Sequence, residues 1–557
     1  VKRVLLLAGA VAALALAVSS SSVGRPYAGV QDRPNVVLFV LDDATVEDVE
    51  YMPNVQRLLV DRGTTFTRTY SPFPVCCPAR ATILTGLYPH NHRVLDNVAP
   101  LGGFSKFRDT RTVATYLDDD YATALIGKYL NDYDDVRYVP PGWDLFAAPS
   151  DATAYNYLNQ TLNINGDVVS VRDTYMTGFY GREARAFLDA SAPTSFLLYL
   201  AWVAPHKGSP HEYATDPAAS PYVAPKYQDT YTGPLRPEDA SYNEADVSDK
   251  PAGVRQLPRL TAAQIRLQQE KLAQRREALR SVDDEVARIV QRVHRAGELQ
   301  DTFFIFTSDN GQMQGQHRVP FGKSVVYEPS SRVPLVIRGP GFPAGSSYDG
   351  VTGLQDLTPT ILDMTNRRVP GAARLFDGVS LSRLVNGTLE TRRPQLIERA
   401  VSASLSDLEI ADGQEPSAAQ ADRLRSGDWL SRALVSADNW KYVHYVQTGE
   451  IEMYDLDSDP DELQNLAGNP RFGERQGHPR HTAADPRGCA ARRARLRRRP
   501  GGAVLRRGGR GGAGHRAGAD AQDAAGRGRL PGRPGAAGVR RRPGQRCARP
   551  QGARRCG

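Results

Sequence analysis

Three apolar runs in this sequence each break off into residues that can hold a cation or move a proton. Asn35 to Leu41 (NVVLFVL) ends in Asp42 and Asp43. Thr302 to Thr307 (TFFIFT) ends in Ser308, Asp309, Asn310 and Gly311, and Ser195 to Val203 (SFLLYLAWV) ends in Ala204, Pro205 and His206. Asp42, Asp43, Asp309 and Asn310 together offer three carboxylates and an amide oxygen, a hard all-oxygen set that suits Ca2+ or Mg2+ and argues against Zn2+. Asp42 and Asp43 have a plainer use, capping the next helix, but a second strand end with Asp and Asn favours metal. His206 can serve as a proton donor or anion contact, or sit as a satisfied structural histidine. Before residue 489 the only cysteines are Cys76 and Cys77. Neighbouring cysteines cannot cross-link distant parts of a domain, so one of them has another task.

The elements that must position these groups are buried strands. Continuous apolar, β-branched runs are strands covered on both faces, and in open parallel α/β sheets ligands gather at the carboxyl ends, so the three ends are expected to converge on one site. Thr261 to Ala296, rich in Leu, Gln, Arg, Glu and Ala with apolar positions at helical spacing, reads as a helix leading into the TFFIFT strand as an αβ unit. Lys207 to Pro258, with much Pro, Asp, Ser and Tyr, reads as a long irregular insertion near the mouth of the site. Beyond Asp377 and Gly378 the pattern changes to four short strands of a smaller antiparallel domain: Pro394 to Glu398, Ala433 to Ala437, Lys441 to Tyr445 and Glu452 to Leu456. The expected division is a catalytic domain over 33–375 and a smaller subdomain over 376–470.

At 557 residues, 40% hydrophobic and 24% charged, the chain can bury a substantial core in two or more domains, which excludes a disulfide miniprotein or a wholly disordered chain. A net charge of +8 points at first to a polyanion partner. Residues 471–557, however, hold 24 Arg, no Lys and 4 acidic residues, a net of +20, which leaves the first 470 at −12. The body is acidic, and nucleic acid is not an expected partner. Lys2 and Arg3, the apolar run Val4 to Val18 and Ser19 to Ser22 follow the order of a secretory signal over 1–23. The run is short of the roughly 20 residues of a membrane span, so export without a stable span is expected. The 471–557 tail is Arg, Gly, Ala and Pro with too little apolar bulk to offset its ordering entropy, so disorder is expected there. Its abrupt start after MYDLDSDPDELQNLAGNP is also what a shifted reading of a GC-rich gene produces.

Val75 to Val94, VCCPARATILTGLYPHNHRV, resembles the signature of the sulfatase family, Cys-x-Pro-x-Arg followed by a Thr-Gly turn. Cys76, Pro78, Arg80, Thr85 and Gly86 stand in the matching places and Cys77 in the variable one. The resemblance runs over most of 34–470, because Asp42 and Asp43, GKYLN at Gly127 to Asn131, APH at Ala204 to His206, SDNG at Ser308 to Gly311 and the Lys323 region occur in family order. The CCPAR start, PHNH, GKYLN and the late YDL-DPDELQNL features are most similar to the branch that includes N-acetylglucosamine-6-sulfatase and the extracellular heparan sulfatases.

The resemblance implies an alkaline-phosphatase-like α/β sandwich with a large, mostly parallel central sheet and a smaller C-terminal antiparallel α+β subdomain. It implies a secreted sulfatase acting on the 6-O-sulfate of N-acetylglucosamine-type sugars. Cys76 would be oxidised to formylglycine by a formylglycine-generating enzyme, and Ca2+, with Mg2+ as the alternative, would be held by Asp42, Asp43, Asp309, Asn310 and residue 76. Three carboxylates against a dication leave a net negative site, so cations are needed to admit an anionic ester, and Arg80, Lys128 and Lys323 are the family's candidates. His206 or Lys323 would protonate the departing alcohol.

Two departures stand out. Many members carry His two residues after the Lys of GK, where this chain has Leu130. Asn131, His90 or His92 are then the candidates to meet the formylglycine hydroxyls or the substrate. Position 79 is Ala where Ser is common. Two other functions fit the same scaffold: a phosphate or phosphonate monoester hydrolase, or an inactive carbohydrate-binding relic if Cys76 is never oxidised.

Overall fold

A computed structural model describes residues 33–209, 220–390, 392–400 and 429–472, all within the first of two compact units, Val1–Ala494. The expected signal and all but the first two residues of the tail lie outside the described residues. The strands, in chain order, are β1 (Asn35–Leu41), β2 (Thr64–Phe66), β3 (Thr69–Tyr70), β4 (Ala122–Gly127), β5 (Leu145–Pro149), β6 (Gln160–Ile164), β7 (Asp167–Val171) and β8 (Phe196–Ala201). They continue with β9 (Thr302–Ser308), β10 (Leu335–Arg338), β11 (Ser346–Tyr348), β12 (Thr352–Gly353), β13 (Gln395–Arg399), β14 (Ser431–Val435), β15 (Trp440–Tyr445) and β16 (Ile451–Asp455).

Ten of them form one sheet in the order β11-β2-β10-β9-β1-β8-β4-β5-β6-β7. The middle five, β9, β1, β8, β4 and β5, are mutually parallel, while β10 and β6 join their edges antiparallel. The three runs that end in polar residues are thus adjacent, in the order β9, β1, β8, and all seven residues of β1 are buried. Alternation sorts that strand between two cores: Val36, Leu38 and Val40 pack on one face with Ile83, Leu357 and Ile361, and Val37, Phe39 and Leu41 on the other with Phe187, Leu279 and Val286. Each such side chain contributes on the order of 1.5–3 kcal/mol by leaving water, so a one-residue slip of β1 would cost most of the central packing.

The helix predicted before β9 is Ala262–Arg295. Thr261 caps it reciprocally with Gln264, and Arg292, His294 and Arg295 in its last turn complement the helix dipole. Within the expected insertion, the described residues 220–251 contain only the short turn Pro225–Tyr227, and Ala252–Arg255 follows as one helical turn. The four late strands form a separate antiparallel sheet, β13-β14-β15-β16. The second of them in expectation, Ala433 to Ala437, starts and ends two residues earlier as β14, because Ser436 N–H turns to Trp440 O and closes the hairpin. This sheet packs Ile397, Ala433, Val443 and Tyr454 against Tyr70, Met313, Val319 and Tyr327 of the body in one shared core. No helix among the described residues is long and apolar enough to cross a membrane.

Candidate active site

Register builds the acidic end of the site. Leu41 pairs with Ser308 and Asp309 N–H continues the ladder to Leu41 O at 3.1 Å, so Asp42 and Asp43 leave β1 beside Asp309 and Asn310 leaving β9. Asp43 adopts a left-handed backbone, φ 68°, which is uncommon for a residue with a side chain. The turn is held by Asp43 N–H to Asp309 Oδ1 at 3.2 Å, by Ala44 N–H to Ser308 Oγ at 2.9 Å, and by Arg275 Nη2 to Asp43 O at 2.6 Å.

Cys76 opens the helix Cys76–Thr85, after Val75 in extended conformation. Arg80 follows four residues on, and therefore on the same face one turn along. Its wholly buried guanidinium donates to Asp309 Oδ2 at 2.8 Å, Asp42 Oδ2 at 3.1 Å and Lys128 O at 2.8 Å. Pro78 sits in the first turn, where no intrahelical partner is needed for its missing N–H. Gly86 ends the helix at φ 69°, which explains the Thr-Gly turn. Cys77 faces away: its N–H meets Asn97 Oδ1 at 2.9 Å and its thiol joins the core, 4.0 Å from Asn131 O.

Lys128 enters at the end of β4. Gly127 precedes it at φ 100°, and a Cβ there would lie 1.9 Å from Ala201 O, so only glycine keeps β4 against β8 through this turn. Lys128 Nζ donates to Asp42 Oδ2 at 2.5 Å and to Tyr155 OH at 2.7 Å. Lys323 Nζ reaches both Asp43 Oδ1, at 2.8 Å, and Cys76 Sγ, at 2.9 Å. His206 donates Nδ1–H to Lys207 O at 2.6 Å, which turns Nε2 toward Asp43 Oδ2 at 3.7 Å.

These charges set one another. Burial alone would raise the Asp42 carboxyl, but Lys128, Arg80, His206 and Lys323 hold it well below the usual carboxylate range. Burial and then Asp42 raise Asp309 in spite of Arg80 and Lys128. Burial opposes a charge on Lys128, yet Asp42 keeps its ammonium raised above the ordinary value. Burial, followed by Asp42, pushes the Cys76 thiol well up against Lys128 and Lys323. The thiol is therefore neutral and donates to Asp42 Oδ1 at 3.2 Å. A neutral thiol facing carboxylates is a poor nucleophile, so Cys76 as sulfur gains little from its position.

One ligand atom each from Asp42, Asp43, Cys76 and His206 lies within 4.8 Å of the others, all buried. Asp309 is turned instead to Arg80 and to the main-chain N–H groups of Asp43 and Asn310. Asn310 donates Nδ2 to Asp43 Oδ1 at 2.6 Å, while its own Oδ1 is buried and accepts no hydrogen bond. Half a turn of that amide puts an oxygen beside Asp43, the donor a hard cation would take. The residues fit a divalent ion.

The remaining candidates have other hydrogen-bond partners than the Cys76 thiol. His92 has both ring nitrogens engaged, with Thr82 Oγ1 at 3.0 Å and Val94 N–H at 3.1 Å, and burial and the neighbouring His90 push it down to about 3. His90 pairs Nδ1 with Glu398 Oε2 at 2.6 Å and stacks on Tyr88. Asn131 donates to Tyr155 OH at 2.8 Å and Asp151 Oδ1 at 3.3 Å. The side chains that hydrogen-bond the Cys76 thiol are Asp42 and Lys323. Two further residues belong to the cluster without having been singled out in the sequence. Arg275 bridges Asp43 O, Pro205 O and Asp48; its one sequence signal is a cation within the apolar stripe of its helix, between Leu272 and Leu279. Tyr155 gave none.

A wide, mostly parallel sheet whose strand ends gather acids able to hold a divalent ion beside a cysteine heading a helix is the arrangement of an ester hydrolase. The sequence pattern of the sulfatase family matches residues 34–367, more than half of the chain, and the protein belongs to that family. It is 33% identical over 370 residues to an extracellular sulfatase Sulf-1 homolog of Caenorhabditis elegans, which covers 64% of this chain and 50% of that one. It is 30% identical over 467 residues to the N-acetylglucosamine-6-sulfatase of Homo sapiens, 78% of this chain and 81% of that protein. The chain thus spans about half the length of the first relative. Its fold matches a protein solved in complex with its substrate D-glucosamine-2-N,6-O-disulfate, with a TM-score of 0.66 over 80% of this chain and 95% of the other at 21% identity.

Proposed function

We propose that this protein is a secreted sulfatase that removes the 6-O-sulfate of N-acetylglucosamine-type sugars, with Cys76 converted to formylglycine. The observation that carries the reading is Cys76 at the head of its helix, within hydrogen-bond reach of Asp42 and Lys323 while its thiol is held neutral. The name of the human relative and the glucosamine disulfate bound by the structural neighbour support the sugar class, and the extracellular relative supports export.

Asp42, Asp43, Asp309, Asn310 and residue 76 would hold the cation; their oxygen donors suit Ca2+ or Mg2+, and the family resemblance favours calcium. Bound there, calcium and the hydrated aldehyde supply charge neutralisation, a hydroxyl nucleophile and, through the second hydroxyl, a way to expel sulfate. The chain's own groups do the rest. Lys128 and Lys323 flank residue 76 and the acids, so they bind and orient the anionic ester. Arg80, tied between Asp42 and Asp309, fixes the two strand ends and offsets their charge. His206 Nε2 or Lys323 Nζ holds the proton that the departing sugar alcohol takes up.

Sulfate release from a panel of defined sulfated sugars, by protein whose conversion at Cys76 has been quantified by peptide mass, tests the proposal. Release from 6-O-sulfated glucosamine units with little from matched aryl phosphate supports it. Faster phosphate ester cleavage would make the protein a phosphoesterase, and sugar binding by protein that its own host leaves unconverted at Cys76 would make it a relic.

A further inference from the structure

We propose that Tyr155 is a positioning residue for the ammonium of Lys128, an inference that rests on the sulfatase reading and extends its machinery. Tyr155 lies off the three strand ends, directly after the short helix Asp151–Ala154. Its hydroxyl oxygen accepts from Lys128 Nζ at 2.7 Å and from Asn131 Nδ2 at 2.8 Å. Its ring centroid is 4.4 Å from the same ammonium and 4.5 Å from the ring of His206. One half-buried side chain therefore touches three groups that the sequence assigns to the site.

The chain around it is stitched to the His206 loop. Ser209 N–H donates to Tyr155 O at 2.9 Å, Tyr157 N–H to Ser209 O at 2.6 Å, and Tyr157 OH to His206 O at 2.7 Å. Tyr155 is thus fixed relative to the His206 strand end where it meets Lys128 at the end of β4.

A lysine ammonium is a compact charge with three rotatable donors on a flexible stem. Asp42 takes one donor. With no second acceptor the head is free to settle on that carboxylate, where its charge cancels against Asp42 instead of facing the ester. The Tyr155 hydroxyl takes the second donor and the ring face adds a cation–π attraction, which leaves the third N–H with a defined direction. Asn131 holds the hydroxyl oxygen from the other side.

The test is a double-mutant cycle of Tyr155→Phe and Lys128→Met on converted protein. Phenylalanine keeps the ring and removes only the hydroxyl. Y155F is expected to lower kcat/KM for a 6-O-sulfated sugar by roughly ten- to a hundredfold, the range of a hydrogen bond to a charged group, and to add less than about twofold when Lys128 is already Met. The same cycle read as the affinity of the unconverted protein for inorganic sulfate, by calorimetry, needs no turnover. An equal loss from Y155F in both backgrounds, or no loss in either, overturns the proposal. If converted wild type releases no sulfate from any sugar, the functional reading fails, and the sulfate-affinity cycle still decides for or against Tyr155.

Discussion

Two of the buried clusters of acids and cations among the described residues meet their charges differently. Beneath the small sheet, Lys441 Nζ sits 3.1 Å from Glu328 Oε1 and 2.8 Å from Glu462 Oε1, and Glu452 accepts from the hydroxyls of Tyr327, Tyr445 and Tyr454. Protein groups answer protein groups there. At the strand ends, three carboxylates face Arg80, Lys128 and Lys323, yet Asn310 Oδ1 accepts nothing and Cys76 stays neutral under Asp42. Burial of charge and a left-handed backbone, at Glu462 as at Asp43, are common to both. What marks the second as a site is an acceptor with neither hydrogen bond nor ion pair beside the cations, where Glu462 Oε1 has Lys441.

The sharpest way to break this contrast is to cut each cluster at its centre. Cys76→Ala should reduce sulfate release on the order of 10⁴-fold or more, with the unfolding free energy within about 1 kcal/mol of wild type. Turnover assays beside urea unfolding check it, and activity retained in that variant would sink the nucleophile assignment. Lys441→Met should do the reverse. It strands two buried carboxylates, costing about 3–5 kcal/mol of stability in urea, while kcat/KM of the folded fraction stays at the wild-type value.

Calcium gives the next discrimination. At about a hundred times its dissociation constant it should add about 2.7 kcal/mol to the stability of wild type and of Lys441→Met, and nothing to Asp42→Asn with Asp43→Asn. A metal-independent melting curve for wild type would remove the cation from the site. A further difference concerns alkali. Burial, then Glu452, pushes Tyr327 and Tyr454 well above the ordinary tyrosine value. Burial would lower Lys441, but Glu462 and Glu328 hold it raised. Above about pH 10 the unfolded chain releases protons that the folded chain keeps, so stability should fall as pH rises, by about 1.4 kcal/mol per pH unit for each group, with no slope from them below that pH. Urea midpoints across that range check the sign, and a flat profile would mean that the small-sheet hydroxyls reach water.

The central sheet was legible because β1, β8 and β9 are unbroken apolar runs and each stops at a polar or acidic residue. That pattern has few meanings other than a buried parallel strand with a ligand end. The gathering of Asp42, Asp43, Arg80, His206, Asp309 and Asn310 around Cys76 follows from register plus the four-residue step from Cys76 to Arg80, whereas Lys128 and Lys323 were legible only through the family resemblance. Proximity along the chain misleads at His90 and His92. They stand only 14 and 16 residues past Cys76, but the left-handed turn at Gly86 sends them onto a separate short helix, Pro89–His92, whose partners are Glu398 and Thr82. Arg275 and Tyr155 were hidden for the opposite reason. Their contacts are made across long chain separations, Arg275 to Asp43 over 232 residues, and no local spacing announces them.

Residue 76 has no solvent-accessible surface at all. A second protein cannot touch its sulfur while the chain stays closed. On the proposed reading, conversion of that side chain therefore comes before this core consolidates.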